Sequence, residues 1–206
     1  MDSAFLITGF VTLFVIMDPI GLTPIFVALT QGMAPARRRA IALRACLMAG
    51  LLLALFALFG EAVLGFIGIS MPAFRIAGGI LLFLTALDML FQRRTKRRED
   101  HAEEDDHHDD PSVFPLAMPL IAGPGSIATM ILLVGQHPGL IGLAMVLGIM
   151  LAVLVIALVL FLLSGVLERA LGKTGINVVT RLLGMLLAAL SVQFVLDGLK
   201  AFGFAA

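Results

Sequence analysis

Tryptophan and tyrosine are absent from the 206 residues, cysteine occurs once, and only 14% of positions are Asp, Glu, Lys or Arg. Each shortage removes a class of protein. A single cysteine, Cys46, excludes an internal disulfide and any paired-thiol relay, and in an apolar segment it reads as a small packing residue. No HExxH, no GxSxG and no histidine cluster falls within an apolar stretch, so the signatures of the common hydrolases are missing. No enzyme activity, cofactor, resident metal or nucleic-acid partner is expected. Charge is lacking most conspicuously from 111 to 167, a run interrupted only by His137, a few small polar residues and glycines.

In place of charge the chain carries 60% apolar residues, among them 15 Phe, and a mean hydropathy of +1.08. Soluble domains hold about 45 to 50% apolar residues, so this is an integral membrane protein whose first partner is the lipid bilayer. At about 20 residues per span the chain has room for six or seven helices. We read six, at 4–28, 40–60, 72–91, 112–135, 139–163 and 178–201, forming one all-α membrane domain over 1–206. The opening Met1-Asp2-Ser3 leads straight into a full-length span without a basic segment, so the first helix is expected to remain rather than to be cleaved as a signal.

Lysine and arginine set the orientation. Arg37, Arg38, Arg39 and Arg44 follow span one, Arg93, Arg94, Lys96, Arg97 and Arg98 follow span three, and Arg169 and Lys173 follow span five. The loops between them, 61–71 and 136–138, have only Arg75 nearby and none. By the positive-inside rule the basic loops face the cytoplasm and both termini lie outside it. The basic loop at 92–111 turns acidic, with His101, His107 and His108 among eight aspartates and glutamates over 103–110 and 99–100. That composition reads as a solvated linker; the sharper alternative, a divalent-metal regulatory loop, has the right ligand types but no defined spacing.

Within span one stands Asp18-Pro19-Ile20-Gly21-Leu22-Thr23-Pro24, and within span four Pro119-Leu120-Ile121-Ala122-Gly123-Pro124-Gly125-Ser126. Proline removes a backbone donor and clashes with the preceding turn, so each span must break. In lipid that is tolerated only where protein or water satisfies the freed groups. A pair of interrupted helices in corresponding positions points to a substrate or ion site near the bilayer midplane.

The positions do correspond. Both 61–70 and 168–177 read E-x-x-L-G-x-x-G-I-[S/N], each followed by an arginine, Arg75 or Arg181, with a glycine three residues on. The offsets are 107 residues from Glu61 to Glu168, 106 from Arg75 to Arg181 and 105 from Pro19 to Pro124. Such agreement argues for duplication, with repeat one at 1–91, a charged linker at 92–111 and repeat two at 112–206. Three spans per repeat is an odd number, so the copies are expected to be inverted, as in many secondary transporters.

At these residues the chain resembles the MarC family of bacterial integral membrane proteins. The resemblance rests on Asp18-Pro19-Ile20-Gly21-Leu22-Thr23-Pro24-Ile25-Phe26, on Ala122-Gly123-Pro124-Gly125-Ser126-Ile127 and on Arg75 to Gly79, and it covers essentially the whole chain. It implies a six-span inner-membrane protein in a wider group similar to LysE-type inverted-repeat exporters, some of whose relatives are described as carrying small neutral amino acids such as glycine and alanine. Many members have Asn where this chain has Asp18, so the resemblance supplies no proton-carrying role there.

The candidate substrate- or ion-binding residues are therefore Asp18, Pro19, Gly21, Thr23, Pro24, Gly123, Pro124, Gly125, Ser126 and Thr129. Asp18 lies about 22 Å along a helix from Ser3, deep in the bilayer, where a carboxylate is a functional residue by default. It is equally a helix cap, because Asp before a first-turn proline is a favoured start signal. Pro124, Gly125 and Ser126 would open a half-helix whose amides favour an anionic group. Glu61 with Arg75, and Glu168 with Arg181, read either as interfacial charges or as gates closing opposite vestibules. Asp88 and Asp197 read as interfacial, and Gly65, Gly68, Gly78 and Gly79 as packing positions.

The leading expectation is a secondary transporter or facilitator of a small polar solute, a small neutral amino acid first, with a proton or sodium ion as coupling ion; the alternative is a non-transporting membrane scaffold or regulatory protein. The orientation is open to direct test. A reporter active only outside the cytoplasm should work when fused at Ala206 and fail within 93–110, and the opposite pattern would reverse the topology.

Overall fold

The computed structural model describes residues 3–91 and 110–204, without the side chains of residues 167–169 and 173. The histidine-bearing acidic block, with both readings of it, lies outside the described residues. Among those described, every regular element is helical: α1 Ser3–Met17, α2 Pro19–Leu29, α3 Pro35–Ile67, α4 Met71–Leu90, α5 Ser112–Ile121, α6 Pro124–Gln136, α7 Leu140–Leu162 and α8 Ser164–Ala201. Together α1 and α2 make one apolar span of 27 residues, and α5 with α6 makes a second, bent by 56° at its break. With α3, α4, α7 and the 174–201 part of α8 this gives six crossings.

Start and stop signals explain the helix ends. Proline occupies the first turn of α2, α3, α4 and α6, where its missing N–H has no intrahelical partner to lose. The Ser70 hydroxyl accepts from the Ala73 amide at 3.4 Å to cap α4. α3 stops at Gly68, whose φ of 83° is open to glycine; the Ile69 amide then bonds back to the Leu64 carbonyl at 2.9 Å, a Schellman closure. At 33 residues, or about 50 Å, α3 overshoots the bilayer core of about 30 Å and carries Arg37 to Arg39 and Glu61 out to its rims.

Three expectations are corrected here. The second span is 35–67 rather than 40–60, so Glu61 and Gly65 sit in helix and the loop expected at 61–71 shrinks to 68–70. Residues 164–177, expected as a loop, are wound into α8, which breaks at Gly172 (φ 59°, ψ 176°). Gly65 and Gly68 are not packing positions, since a Cβ at either would meet nothing within 4 Å. The first half of span four is also less regular than a plain helix. Phe114 and Met118, each preceding a proline, are extended, the conformation that a following proline favours. The remaining turns of α5 are wide, with Leu116 N to Pro111 O at 3.3 Å and Ala122 N to Ala117 O at 2.9 Å.

The two broken spans occupy the middle of the bundle. α3 and α7 pack together on one side, α4 and α8 on the other, and α1 and α6 run between them. The larger apolar core joins α1, α2, α3, α5, α6 and α7; a smaller one, built on Val15, Ile16, Leu82, Ala86, Met89, Leu132, Leu187 and Phe194, joins α1, α4, α6 and α8. Contacts come in sets that exchange the halves: α3 with α5 and α7 with α1, α3 with α6 and α7 with α2, α4 with α6 and α8 with α2. Outward faces remain apolar, as at Leu47, Leu51, Leu55 and Phe59 of α3 and Leu182 and Leu186 of α8. At the start of α5, exposed Asp110 pairs with Arg44 of α3 and accepts from the Ser112 amide at 3.1 Å. Its carboxyl is held below the usual carboxylate range by Ser112 and then by the Arg44 charge.

Lipid tails are as apolar as leucine, so helices here associate through close packing rather than through release from water. α4 and α8 show it: a Cβ on Gly79 would stand 2.8 Å from the Ser191 carbonyl oxygen, and one on Gly184 2.9 Å from Met89 Cβ. Gly79→Ala should therefore lower the midpoint of thermal unfolding in detergent, by the equivalent of about 1 to 3 kcal/mol of overpacking. Gly65→Ala, with open space around it, should raise stability by about 0.5 to 1 kcal/mol through helix propensity. Shifts of the same sign would defeat this account of the packing.

A candidate functional site at the paired helix breaks

The α1–α2 break is made by one residue. Asp18 cannot comfortably stay α-helical before Pro19, and it takes left-handed backbone angles, φ 51° and ψ 60°, which Asp tolerates better than most residues. Its amide still closes α1 on the Phe14 carbonyl at 2.9 Å, and its own carbonyl accepts from the Leu22 amide at 3.0 Å to open α2. Its Oδ1 accepts from the Gly21 amide at 3.0 Å. The carboxylate thus lies on the positive end of α2, where the helix dipole favours it, while only 1% of the residue is exposed. Gly21 is required by that fold-over, since a Cβ there would collide with Asp18 Oδ2. Pro24 denies the Ile20 carbonyl its helical donor, and the Thr23 hydroxyl donates to the Pro19 carbonyl at 2.9 Å.

The second break is built differently. Gly123 is extended at the head of α6 (φ −81°, ψ 170°), and no side chain caps that helix. A Cβ on Gly123 would stand 2.7 Å from the Pro119 carbonyl oxygen. Ser126, 2% exposed, spans the break by donating to the Ile121 carbonyl at 3.0 Å, and Thr129 donates to the Gly125 carbonyl at 2.8 Å. Hydroxyls that satisfy freed carbonyls in this way are the expected repair for a broken membrane helix.

The two breaks meet. Phe5 packs edge-on to His137 with centroids 4.2 Å apart, a Cβ on Gly9 would lie 3.5 Å from Leu133 Cδ2, and one on Gly125 3.2 Å from Ile16 Cγ2. α1 and α6 are therefore antiparallel neighbours, in a register that brings Asp18 level with the first residues of α6. The half-helix N-termini of α2 and α6, both electropositive, converge on the buried centre. Apolar side chains close the Gly125 face: beyond Ile16 stands Leu82 Cδ2 at 3.4 Å, with Thr85 Oγ1 at 3.9 Å.

Two polar residues near this point escaped the sequence reading. Thr12, fully buried one turn before Ile16, has a hydroxyl with no hydrogen-bond partner among the described residues, and Thr85 donates to the Leu81 carbonyl at 3.0 Å. The signal for Thr12 was its four-residue spacing to Ile16, which puts both on one face of α1. The four gate residues are not gathered here. Glu61 and Arg181 are exposed, Arg75 is half-buried with its Nε unbonded, and no ion pair joins Glu61 to Arg75; the Glu168 side chain lies outside the described residues.

The sequence profile of MarC family integral membrane proteins matches residues 3–202. Relatives include a membrane protein of Aquifex aeolicus, 41% identical over 94% of this chain and 92% of its own length. The membrane protein YvbG of Bacillus subtilis is 38% identical over 97% of this chain and 96% of its own, and the inner membrane protein YhgN of Escherichia coli 36% over 95% and 96%. No solved structure matches.

The cap makes a graded prediction. Asp18→Asn should leave the unfolding midpoint nearly unchanged, because asparagine caps and accepts left-handed angles as aspartate does. Asp18→Ala should cost about 2 to 3 kcal/mol, adding a lost cap of about 1 to a left-handed penalty of about 1 to 2. Equal midpoints for the two variants would show that Asp18 does not hold the break.

Proposed function

The chain belongs to the MarC family of integral membrane proteins, and we propose that it is an inner-membrane secondary transporter or facilitator of a small polar solute. One observation carries this reading: two half-helices, α2 and α6, begin in the buried centre of the bundle at the same level. Broken backbone and a buried carboxylate each cost several kcal/mol against hydrocarbon. A bundle needed only for its shape would avoid both by using straight helices.

A solute with a carboxylate suits the α6 start, where no side chain occupies the first-turn amides. The Thr85 hydroxyl, 3.9 Å from a Cβ built on Gly125, is an additional polar group there, and Ile16 and Leu82, which close the Gly125 face, would have to part to admit a small body. A small neutral amino acid combines these properties and is the substrate favoured by the resemblance at the two motifs. Asp18 is the one carboxylate at the breaks and so the place for a coupling proton or sodium ion. The half-exchanging helix contacts suit two inverted repeats, between which rocking would open Gly125 alternately to either side. In this arrangement the basic loops face the cytoplasm and both termini lie outside, and the inner-membrane setting agrees with the name of the relative YhgN, an inner membrane protein.

A specific observation also favours the scaffold reading: Thr23, Ser126 and Thr129 all spend their hydroxyls on their own chain. Reconstituted liposomes separate the two. Radiolabelled glycine or alanine should accumulate, with the dependence on an imposed proton or sodium gradient identifying the coupling ion. Gly125→Leu, whose side chain would press on Ile16 and Leu82 and hold that face shut, should cut uptake at least tenfold while circular dichroism shows the helices intact. If Asp18 carries a proton, Asp18→Asn should lose gradient-driven accumulation yet keep exchange. No uptake of any small solute, or full activity in Gly125→Leu, would leave the scaffold in front.

A further inference from the structure

Away from the breaks, a cavity of about 340 Å³ opens where α3 begins and α7 passes into α8. Its floor is the stacked pair Phe26 and Phe161, both 1% exposed, with ring centroids 4.8 Å apart and planes within 9°. Its polar wall is Arg38, Arg39 and Ser164, and no carboxylate among the described residues lines it. Arg38 is held in place twice. Its Nη2 donates to the Ser164 hydroxyl oxygen at 3.1 Å, and its guanidinium carbon stands 5.7 Å above the Phe26 ring centre. A guanidinium has five N–H donors in a fixed fork, so one bond to Ser164 leaves donors for a ligand, and the Ser164 hydroxyl keeps its own proton to give. The same wall holds Pro35, the first residue of α3. Ala34 caps that helix with no side chain, so its first-turn amides and its dipole add to the positive charge.

We propose that this cavity binds the phosphodiester headgroup of an anionic glycerophospholipid. Two guanidiniums, a hydroxyl and an uncapped helix start, with no carboxylate among the described lining residues, call for an oxyanion, and the planar fork of arginine matches phosphate best. The rim decides the source. Leu162, Leu163 and Val166 border the cavity and are 49%, 51% and 64% exposed. They stand at the end of a membrane span, at the depth where headgroups give way to acyl chains. A water-borne phosphate has no use for such a rim, whereas a lipid covers it with its tails. Basic pockets between membrane helices are known headgroup sites. The bound lipid bridges the halves, because Arg38 and Ser164 are 126 residues apart in sequence. The proposal does not depend on the transport reading.

The test uses the full chain, purified in a neutral detergent and challenged with phosphatidylglycerol, phosphatidylcholine or millimolar inorganic phosphate. Phosphatidylglycerol should raise the unfolding midpoint and survive as an adduct in native mass spectrometry; the other two should do neither. Arg39→Gln and Arg38→Gln should each weaken phosphatidylglycerol binding about tenfold, the scale of one charge-assisted contact. Lys200→Gln, which removes the same charge at the far end of α8, should change nothing. Arg38 also supports the fold through Ser164, so if its variant unfolds, the exposed Arg39 decides. Equal response to phosphatidylcholine, an undiminished adduct in Arg39→Gln, or an equal shift with inorganic phosphate would overturn the lipid site, the last by assigning it to a soluble anion.

Discussion

Inside a bilayer no water completes an unfinished helix, and the whole molecule is arranged around that deficit at two places. At the first, a single carboxylate closes the account: Asp18 ends α1 with its amide, starts α2 with its carbonyl and caps α2 with its side chain. At the second, the Ser126 hydroxyl reaches back across the gap to Ile121. Neither repair would survive contact with lipid, which is why α3 and α7 cover one flank of the broken spans and α4 and α8 the other.

This dependence explains what could be read from the sequence. Long apolar runs and basic loops place six crossings, because hydrocarbon thickness and charge burial leave little freedom. The breaks at Asp18 and Gly123 were legible because proline acts locally, through a missing donor and a clash. The correspondence between the halves was visible at Glu61, Arg75 and Pro19, although how the copies are related in space is a question of tertiary geometry.

Other features depend on neighbours. Gly65 and Gly172 hold the same place in the repeated motif, yet one lies in an unbroken helix and the other has φ 59°; the identity of a glycine does not say which conformation its surroundings will demand. Gly79 is pressed against α8 while Gly65 faces open space, a difference no periodicity reveals. The prolines of α5 announced a disturbance, but its wide turns follow from how Pro115 and Pro119 combine. Arg38, counted only among the orienting charges, is fixed by Ser164 and by Phe26, which lies two residues beyond Pro24. The half-helix that Asp18 starts thus also floors the basic cavity at its other end.

The crowding at Gly21 has a consequence for how this protein can vary. Because a Cβ at 21 would meet the carboxylate of residue 18, the two positions do not mutate independently. A bulkier residue at 21 is excluded while Asp18 folds over it, and becomes admissible only after residue 18 shortens or swings away. The order of changes then matters: a path that alters 21 first passes through a broken intermediate, and one that alters 18 first does not. The three-residue interval at the head of α2 behaves as a single heritable unit, and variants at either position are interpretable only with the other in view.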